Sequence, residues 1–478
     1  MTKLTGSIVD TSSGEQIEAR VQVLESNGMF AHPKDALLKV GTGSPFFYSD
    51  GTFEVDVQRG PARVTVERGT EYVPANINID ASGRGTMAIE VPLKRWSRLA
   101  TEGWHPGNTH IHYDEKEKRP DERLRLDPRV EDLRMTAISV LRRRELDYAT
   151  NKYPPGMLTE FSSTQHHVQC GQENRHNSEP WEGGYGHVML LNMRNVVEPI
   201  SRGVLVDAFD PDYPPLSYAC DDAKRQGGLV IWCHNGRGME APVAAALGKL
   251  DAFNLFDPYW TDVEYDIYYQ MLNAGLKLPA STGSDWFICS ANRVYAQTGG
   301  PFDYETWVEA MRQGKTFITN GPALHLTVDG RDPGSEITAD SGQVLGSLIT
   351  WESHYPLNRV EIVYNGTVIA EKIFDNGSTG GQLEADIPVT SDGWVAARAG
   401  SDTRDSFAQP IFAHTSPVYL KSGVNGPEKK AAARWFDGEI ERSLDWVNTR
   451  GRFYNDAQRR EVVDLFREGQ AVYRGMIT

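Results

Sequence analysis

The residues best able to do chemistry lie between positions 105 and 285. His105, His110, His112, His166, His167, His176, His187 and His234 make up eight of the chain's twelve histidines. "GWHPGNTHIH" at 103–112 sets two of them one residue apart, directly after a Gly/Pro/Asn turn and an aromatic residue. If "THIH" is extended, its period of two sends His110 and His112 to one face, where both imidazoles can reach one ion. His234 follows the apolar run 229–233, and Asp285 follows "LPASTGS", a strand running into a Gly/Ser turn. Open and barrel-type α/β folds gather their sites at strand ends, where loops converge. A core histidine at 234 and a helix N-cap at Asp285 before "WFICS" are the structural alternatives.

Glu173 lies in "CGQENRHNSE", a polar stretch that reads as a loop, and His187 leads the strand-like "GYGHVMLL". Glu173 and His176 form an E-x-x-H pair, the spacing used on helices of carboxylate-bridged di-iron bundles. Gly171, Asn174 and Asn177 argue against a helix there. His166 and His167 are adjacent and cannot share a strand face, so at most one of them faces a site.

The elements that must position these groups read as follows. Residues 1–100 alternate apolar and polar in "IEARVQVLE", "TFEVDVQ", "ARVTVERG" and "TMAIEVPLKR", which predicts a small antiparallel β-sandwich. From 101 to 321, short solidly apolar runs such as "GGLVIWCH" alternate with helical segments such as "YETWVEAMRQGK", the pattern of a parallel sheet covered on both faces. The aromatic stretch "DPYWTDVEYDIYYQ" reads as an amphipathic helix packed on that sheet, with a pocket lining as the alternative. Alternation returns over 322–425, where Asn365-Gly366 in "VEIVYNGTVIAE" predicts a hairpin with a two-residue turn and a second sandwich around it. Residues 426–478 turn helical, with Ile440, Leu444 and Val447 at i, i+4, i+7 and a cap at Asn455 or Asp456.

With 478 residues the chain has room for roughly three domains. A formal charge of −16 without a long basic run excludes nucleic acid as an expected partner. No leader-like or membrane-length apolar segment is present, so the expectation is a cytoplasmic protein acting on a small molecule, with no membrane partner. Four cysteines without C-x-x-C spacing are expected as reduced thiols.

The succession "GNTHIH", "GQEN", "GYGH", "IWCH", "TGSDW" resembles the PHP superfamily of metallohydrolases, and more closely its carbaryl-hydrolase branch. "GKTFITNGPALHLTVDG" and "AHTSPVYL" extend the resemblance from about residue 100 to the tail. It implies an α/β fold in which a PHP-like distorted (β/α)7 barrel is flanked by two β-sandwich-like modules and a helical C-terminal tail. It also implies that His110, His112, Glu173 and Asp285 surround one divalent ion, while Glu173 bridges to a second held by His187 and His234. Zinc and manganese are the expected ions, with iron a third choice. A third ion found in many relatives is not expected, because Phe287 stands where the last of its histidines would be and its other ligands are also absent. Asn108 replaces an aspartate that would orient a ligand histidine.

The implied activity is a metal-dependent hydrolase, in which a hydroxide activated by two ions attacks a carboxylic ester, carbamate or amide. Asp285 and Glu173 are its expected catalytic residues, with Asp285 relaying a proton. Tyr185, Asn235 and Arg237 are candidate substrate contacts. A phosphoesterase of the same fold, and a degenerate PHP module binding carbohydrate or protein, are the alternatives.

Overall fold

The structure, a computed structural model, describes residues 1–83, 85–144, 146–178, 183–234, 238–256 and 265–477. In the N-terminal strands, alternation in sequence becomes alternation in burial: Thr52–Val57 buries Phe53, Val55 and Val57 and exposes the residues between. One sheet sets Thr2–Asp10 between Thr52–Val57, antiparallel, and Thr86–Arg95, parallel. A second carries Ala19–Glu25 against Phe47–Ser49 and Pro61–Glu67. Leu4, Val21, Val23, Val55 and Val64 meet between the two sheets in one apolar core.

The central strands are buried throughout, because both of their faces are covered. Trp104–Asn108 pairs in parallel with Met135–Val140, which pairs in parallel with His167–Asn177. Gly186–Leu191 follows, antiparallel to His167–Asn177 and to Leu229–Trp232. Leu229–Trp232, Ala252–Phe256 and Ala280–Thr282 then continue in parallel. The sheet is therefore mixed where the sequence predicts parallel strands. The eight residues between Asn177 and Gly186 are too few for a crossover helix, so the chain must turn straight back. The succession returns to its start through a two-residue parallel pair, Ile111 with Asp285 and His112 with Trp286. The helix Tyr265–Asn273 buries Ile267, Tyr268, Met271 and Leu272; the earlier part of the aromatic stretch lies outside the described residues.

The C-terminal β module is continuous with this sheet: Thr316–Thr319 pairs with Arg293–Gln297 on one side and Pro410–Thr415 on the other. Val344–Tyr364 and Thr367–Pro388 are two long strands with register shifts between Glu352 and Arg359. The first half of Val344–Tyr364 pairs with Ala323–Val328 and its second half with Gly393–Arg404. Asn365 and Gly366 hold φ of 49° and 83° in the two-residue turn between the long strands. The tail is two helices, Pro427–Thr449 and Asp456–Ile477, the second capped by Asn455 Oδ1 on the Gln458 amide at 3.0 Å. Ile440, Leu444, Val447 and Phe466 join the central core, so the tail closes one flank of the sheet. No helix among the described residues is long and apolar enough to cross a membrane.

Candidate metal centre

His110 and His112 stand at the end of the first central strand segment, and their Nε2 atoms converge to 3.0 Å. His112 Nδ1 faces the Ser139 carbonyl oxygen at 3.0 Å. A carbonyl can only accept, so Nδ1 carries the hydrogen and Nε2 presents its lone pair to the cluster. The main chain around His110 is held by Asp285, whose amide donates to the His110 carbonyl at 2.9 Å. Gly283 permits this approach, since a Cβ there would lie 2.4 Å from that of His110. Asn108 braces the same turn: its Oδ1 accepts the His110 amide at 3.2 Å and its Nδ2 donates to Ser284 Oγ at 2.7 Å.

Asp285 is presented from the left-handed region, φ 64°, a conformation that costs an aspartate about 1 kcal/mol and tends to gather at functional sites. It forms a short strand pair with Ile111 and is followed by no helix, so it is not a helix cap. Its Oδ1 lies 3.4 Å from His110 Nε2 and 3.8 Å from His112 Nε2, and its Oδ2 is 3.7 Å from His234 Nε2.

Glu173 corrects the sequence reading, because it belongs to the eleven-residue strand His167–Asn177 and not to a loop. That strand carries polar residues on both faces. Gln172 donates to the Val197 carbonyl, Asn174 donates to that of Pro199, and His176 contacts Asp212 at 2.8 Å. On the alternate positions, Glu173, Arg175 and Asn177 share the other face. Glu173 Oε2 is 3.1 Å from His112 Nε2, while Oε1 is 3.0 Å from His187 Nδ1, 3.8 Å from His234 Nε2 and 3.9 Å from His110 Nε2. His187 Nε2 donates to Asn177 Oδ1 at 2.7 Å, which leaves the lone pair of Nδ1 aimed inward.

Burial opposes the charge on Glu173, but the electrostatics around it, the Arg175 guanidinium first, outweigh burial and hold the carboxyl well below the usual range. Burial pushes His187 down to about 3, with Arg175 adding to the effect, so the imidazole is neutral and its lone pair is available. Glu173 Oε1 and His187 Nδ1 are both buried without a hydrogen bond. Two buried donor atoms facing each other at ion-pair distance with no hydrogen bond are the arrangement a cation would satisfy. Glu173, His187 and His234 bring one atom each within 4.8 Å of one another, as do His110, His234 and Asp285. Nitrogen and carboxylate donors in this mix suit zinc, manganese or iron.

The other sequence candidates lie elsewhere. His105 Nε2 faces the Gly300 carbonyl, His166 Nδ1 that of Leu133, and His167 stacks on Tyr304 with ring centroids 3.7 Å apart. Tyr185 is fully buried, gives its hydroxyl to the Asp212 carbonyl and packs against Trp446 and Phe466 of the tail, so it is a core residue and not a substrate contact. Asn235 and Arg237 fall outside the described residues. Phe287 stacks on Tyr113 within an apolar cluster that includes Ile111 and Ile138. Three residues escaped the sequence reading: Arg175, Asn177 and Cys233. Cys233 joins His110 and Glu173 in a third grouping of donors within 4.8 Å. For Arg175 and Asn177 the available signal was the period of two from Glu173.

No family model matches the chain, and no curated protein matches it. Among solved structures it is similar to β-glucuronidase of Parabacteroides merdae with glycerol in its active site, at 10% identity and TM-score 0.18, over 85% of this chain and 60% of that one. A second structure of the same enzyme gives 10% and 0.18 over 86% and 61%. The chain thus spans about 60% of the length of those proteins, and a likeness at this score carries no argument about fold or chemistry.

Proposed function

We propose that the protein is a metal-dependent hydrolase of the PHP type, holding two divalent ions and cleaving a carboxylic ester, carbamate or amide. The observation that carries this reading is the inward convergence of His110, His112, Glu173, His187, His234 and Asp285, with Glu173 Oε1 and His187 Nδ1 buried and unbonded. The strand succession that comes back to its first segment beside Asp285 supports the same reading, as does the apolar packing of Phe287. Four buried thiols fit a cytoplasmic setting.

Bound divalent ions supply two things here, an acidified water and a Lewis acid for a carbonyl oxygen. Glu173 spans the cluster, one oxygen toward His112 and the other toward His187 and His234, and fixes how far apart the two halves stand. Ser139 and Asn177 fix which nitrogen of His112 and His187 faces inward. Asp285 Oδ2, on the His234 side, is placed to take a proton from an attacking water. The burial of all six groups keeps bulk water from competing.

Reconstitution with zinc or manganese followed by elemental analysis should give about two ions per chain, and the loaded protein should hydrolyse an aryl ester or aryl carbamate. A protein that holds no ion overturns the proposal. Efficient phosphomonoester cleavage with aryl esters and carbamates untouched replaces it with a phosphoesterase.

A further inference from the structure

Six arginines are buried among the described residues: Arg20, Arg68, Arg123, Arg175, Arg202 and Arg293. Five of them spend their guanidinium hydrogens inside the protein. Arg20 donates to Glu67 and Glu131, Arg68 to Asp132, Arg123 to Asp127, Arg202 to the carbonyls of Arg175 and Pro199, and Arg293 to Glu131. Arg175 is the exception. Its Nε is buried without a hydrogen bond, as are those of Arg68, Arg202 and Arg293, but unlike theirs its terminal nitrogens make none either, and its nearest carboxylate atom, Glu173 Oε2, forms an ion pair with it at 3.5 Å without hydrogen-bond geometry. No side-chain hydrogen bond of Arg175 exists among the described residues, although a guanidinium has five hydrogens to donate.

The backbone explains where this unused cation points. Arg175 lies two residues from Glu173 and two from Asn177 on the inner face of His167–Asn177, and its cross-strand partner is His187. It therefore sits among the candidate ligands at 8% exposure. Beyond His112 stand two more rings: Trp286 at 5.5 Å between ring centroids, then the buried Tyr148 at 5.6 Å from Trp286. Tyr148 is within electrostatic reach of Arg175 and Glu173. A guanidinium at this exposure with no side-chain hydrogen bond and only Glu173 as its counter-charge is costly, and more so once that carboxylate serves bound cations; an oxyanion supplied by a ligand removes that cost.

We propose that Arg175 is the recognition residue for a carboxylate on the substrate, so that the hydrolase acts on a small aromatic or apolar molecule bearing an acid group near the bond it cleaves. The planar fork of a single arginine matches a carboxylate through two parallel hydrogen bonds. The overall charge of −16 works against anions at long range, which makes a local cation necessary to bind one. This inference rests on the hydrolase reading for the bond cleaved, while the role of Arg175 is open to test by binding alone.

The test is calorimetric titration of the metal-reconstituted protein, and of the protein as isolated, with benzoate, with benzamide as its neutral counterpart, and with inorganic phosphate. Arg175→Met should weaken benzoate about tenfold or more and leave benzamide unchanged, and Arg175→Lys should recover part of the loss. Benzoate binding equal in wild type and Arg175→Met, at equal ion content and melting temperature, overturns the inference and leaves the hydrolase reading standing. Phosphate binding tighter than benzoate, and lost in Arg175→Met, overturns the carboxylate assignment. An Arg175→Met protein that loses its ions makes Arg175 a support of Glu173 and overturns it too; Arg175→Lys, which keeps the charge, then shows the same benzoate affinity as wild type. Failure to bind any ion strikes the hydrolase reading separately, because the benzoate comparison is also made on the protein as isolated.

Discussion

Two clusters of buried charge lie within this protein, and they are built on opposite rules. Where the N-terminal module meets the central segment, Glu131 accepts from Arg20 at 2.7 and 2.9 Å and from Arg293 at 2.8 Å, and Arg20 also reaches Glu67 at 2.9 Å. Each carboxylate oxygen of Glu131 there has a cation beside it. In the central cluster the carboxylates of Glu173 and Asp285 face imidazole nitrogens, and the one guanidinium donates to neither. Burial is equal in the two places, so burial alone does not mark a site. The mark is carboxylate and imidazole atoms that converge and stay unmatched, Glu173 Oε1 against His187 Nδ1; the Glu131 network leaves a guanidinium nitrogen, Arg293 Nε, without an acceptor but no oxygen of Glu131 or Glu67 unmatched.

Glu173→Gln should produce the largest effect. It removes the charge shared by both halves of the cluster and should cost on the order of a thousandfold in kcat/KM, with ion content falling in elemental analysis. Thermal unfolding of the ion-free protein should scarcely change, because the mutation also relieves buried charge. Loss of fold in place of loss of ions would erase the distinction between the clusters.

Glu131→Ala tests the other side. It strands Arg20 and Arg293, and denaturant unfolding should show about 3–5 kcal/mol of destabilisation, while protein that remains folded keeps its ions. If Glu131→Ala instead empties the metal centre, the two clusters are one system and the comparison fails.

The smallest effect concerns pH and sharpens the role of ordinary buried histidines. His414 accepts the Tyr269 hydroxyl at 2.8 Å and faces the Thr415 carbonyl, and burial pushes it down to about 3 from 6.5. The unfolded chain takes up a proton below pH 6.5 that the folded protein refuses until about pH 3, so stability is whole above that window and lost as the pH falls through it. At about pH 5 the loss from this one group should be roughly 2 kcal/mol. His414→Gln should flatten the fall in melting temperature between about pH 7 and 5. An unchanged slope would show that His414 is not among the groups responsible.

Much of the site was legible because metal ligands must be particular residue types at strand ends. His110 and His112, the strand leading to His234, and the turn presenting Asp285 all carried that signal. Glu173 was found with its neighbourhood misread. "GQENRHN" has no apolar alternation because both faces of that strand are lined by polar partners, the ligand cluster on one and the carbonyls of Val197 and Pro199 with Asp212 on the other. Hydrophobic periodicity reports strands that bury apolar side chains; this one buries Val168 and Cys170 in its first part and none from Gly171 onward.

The sequence by itself determined the alternating β modules, the Asn365-Gly366 turn, the paired tail helices and the donor types gathered in the central segment. These follow from local rules: side-chain period, turn chemistry and capping. Only the tertiary structure decided which candidates meet. It sent Tyr185 into the tail contact and His166 and His167 to separate neighbours, and it turned Gly186–Leu191 antiparallel. It also put Arg175 across from His187 with its hydrogen bonds unspent. Period two assigns a residue to a face, but which face is the inside, and what is left unpaired there, depends on strands more than a hundred residues away in the chain.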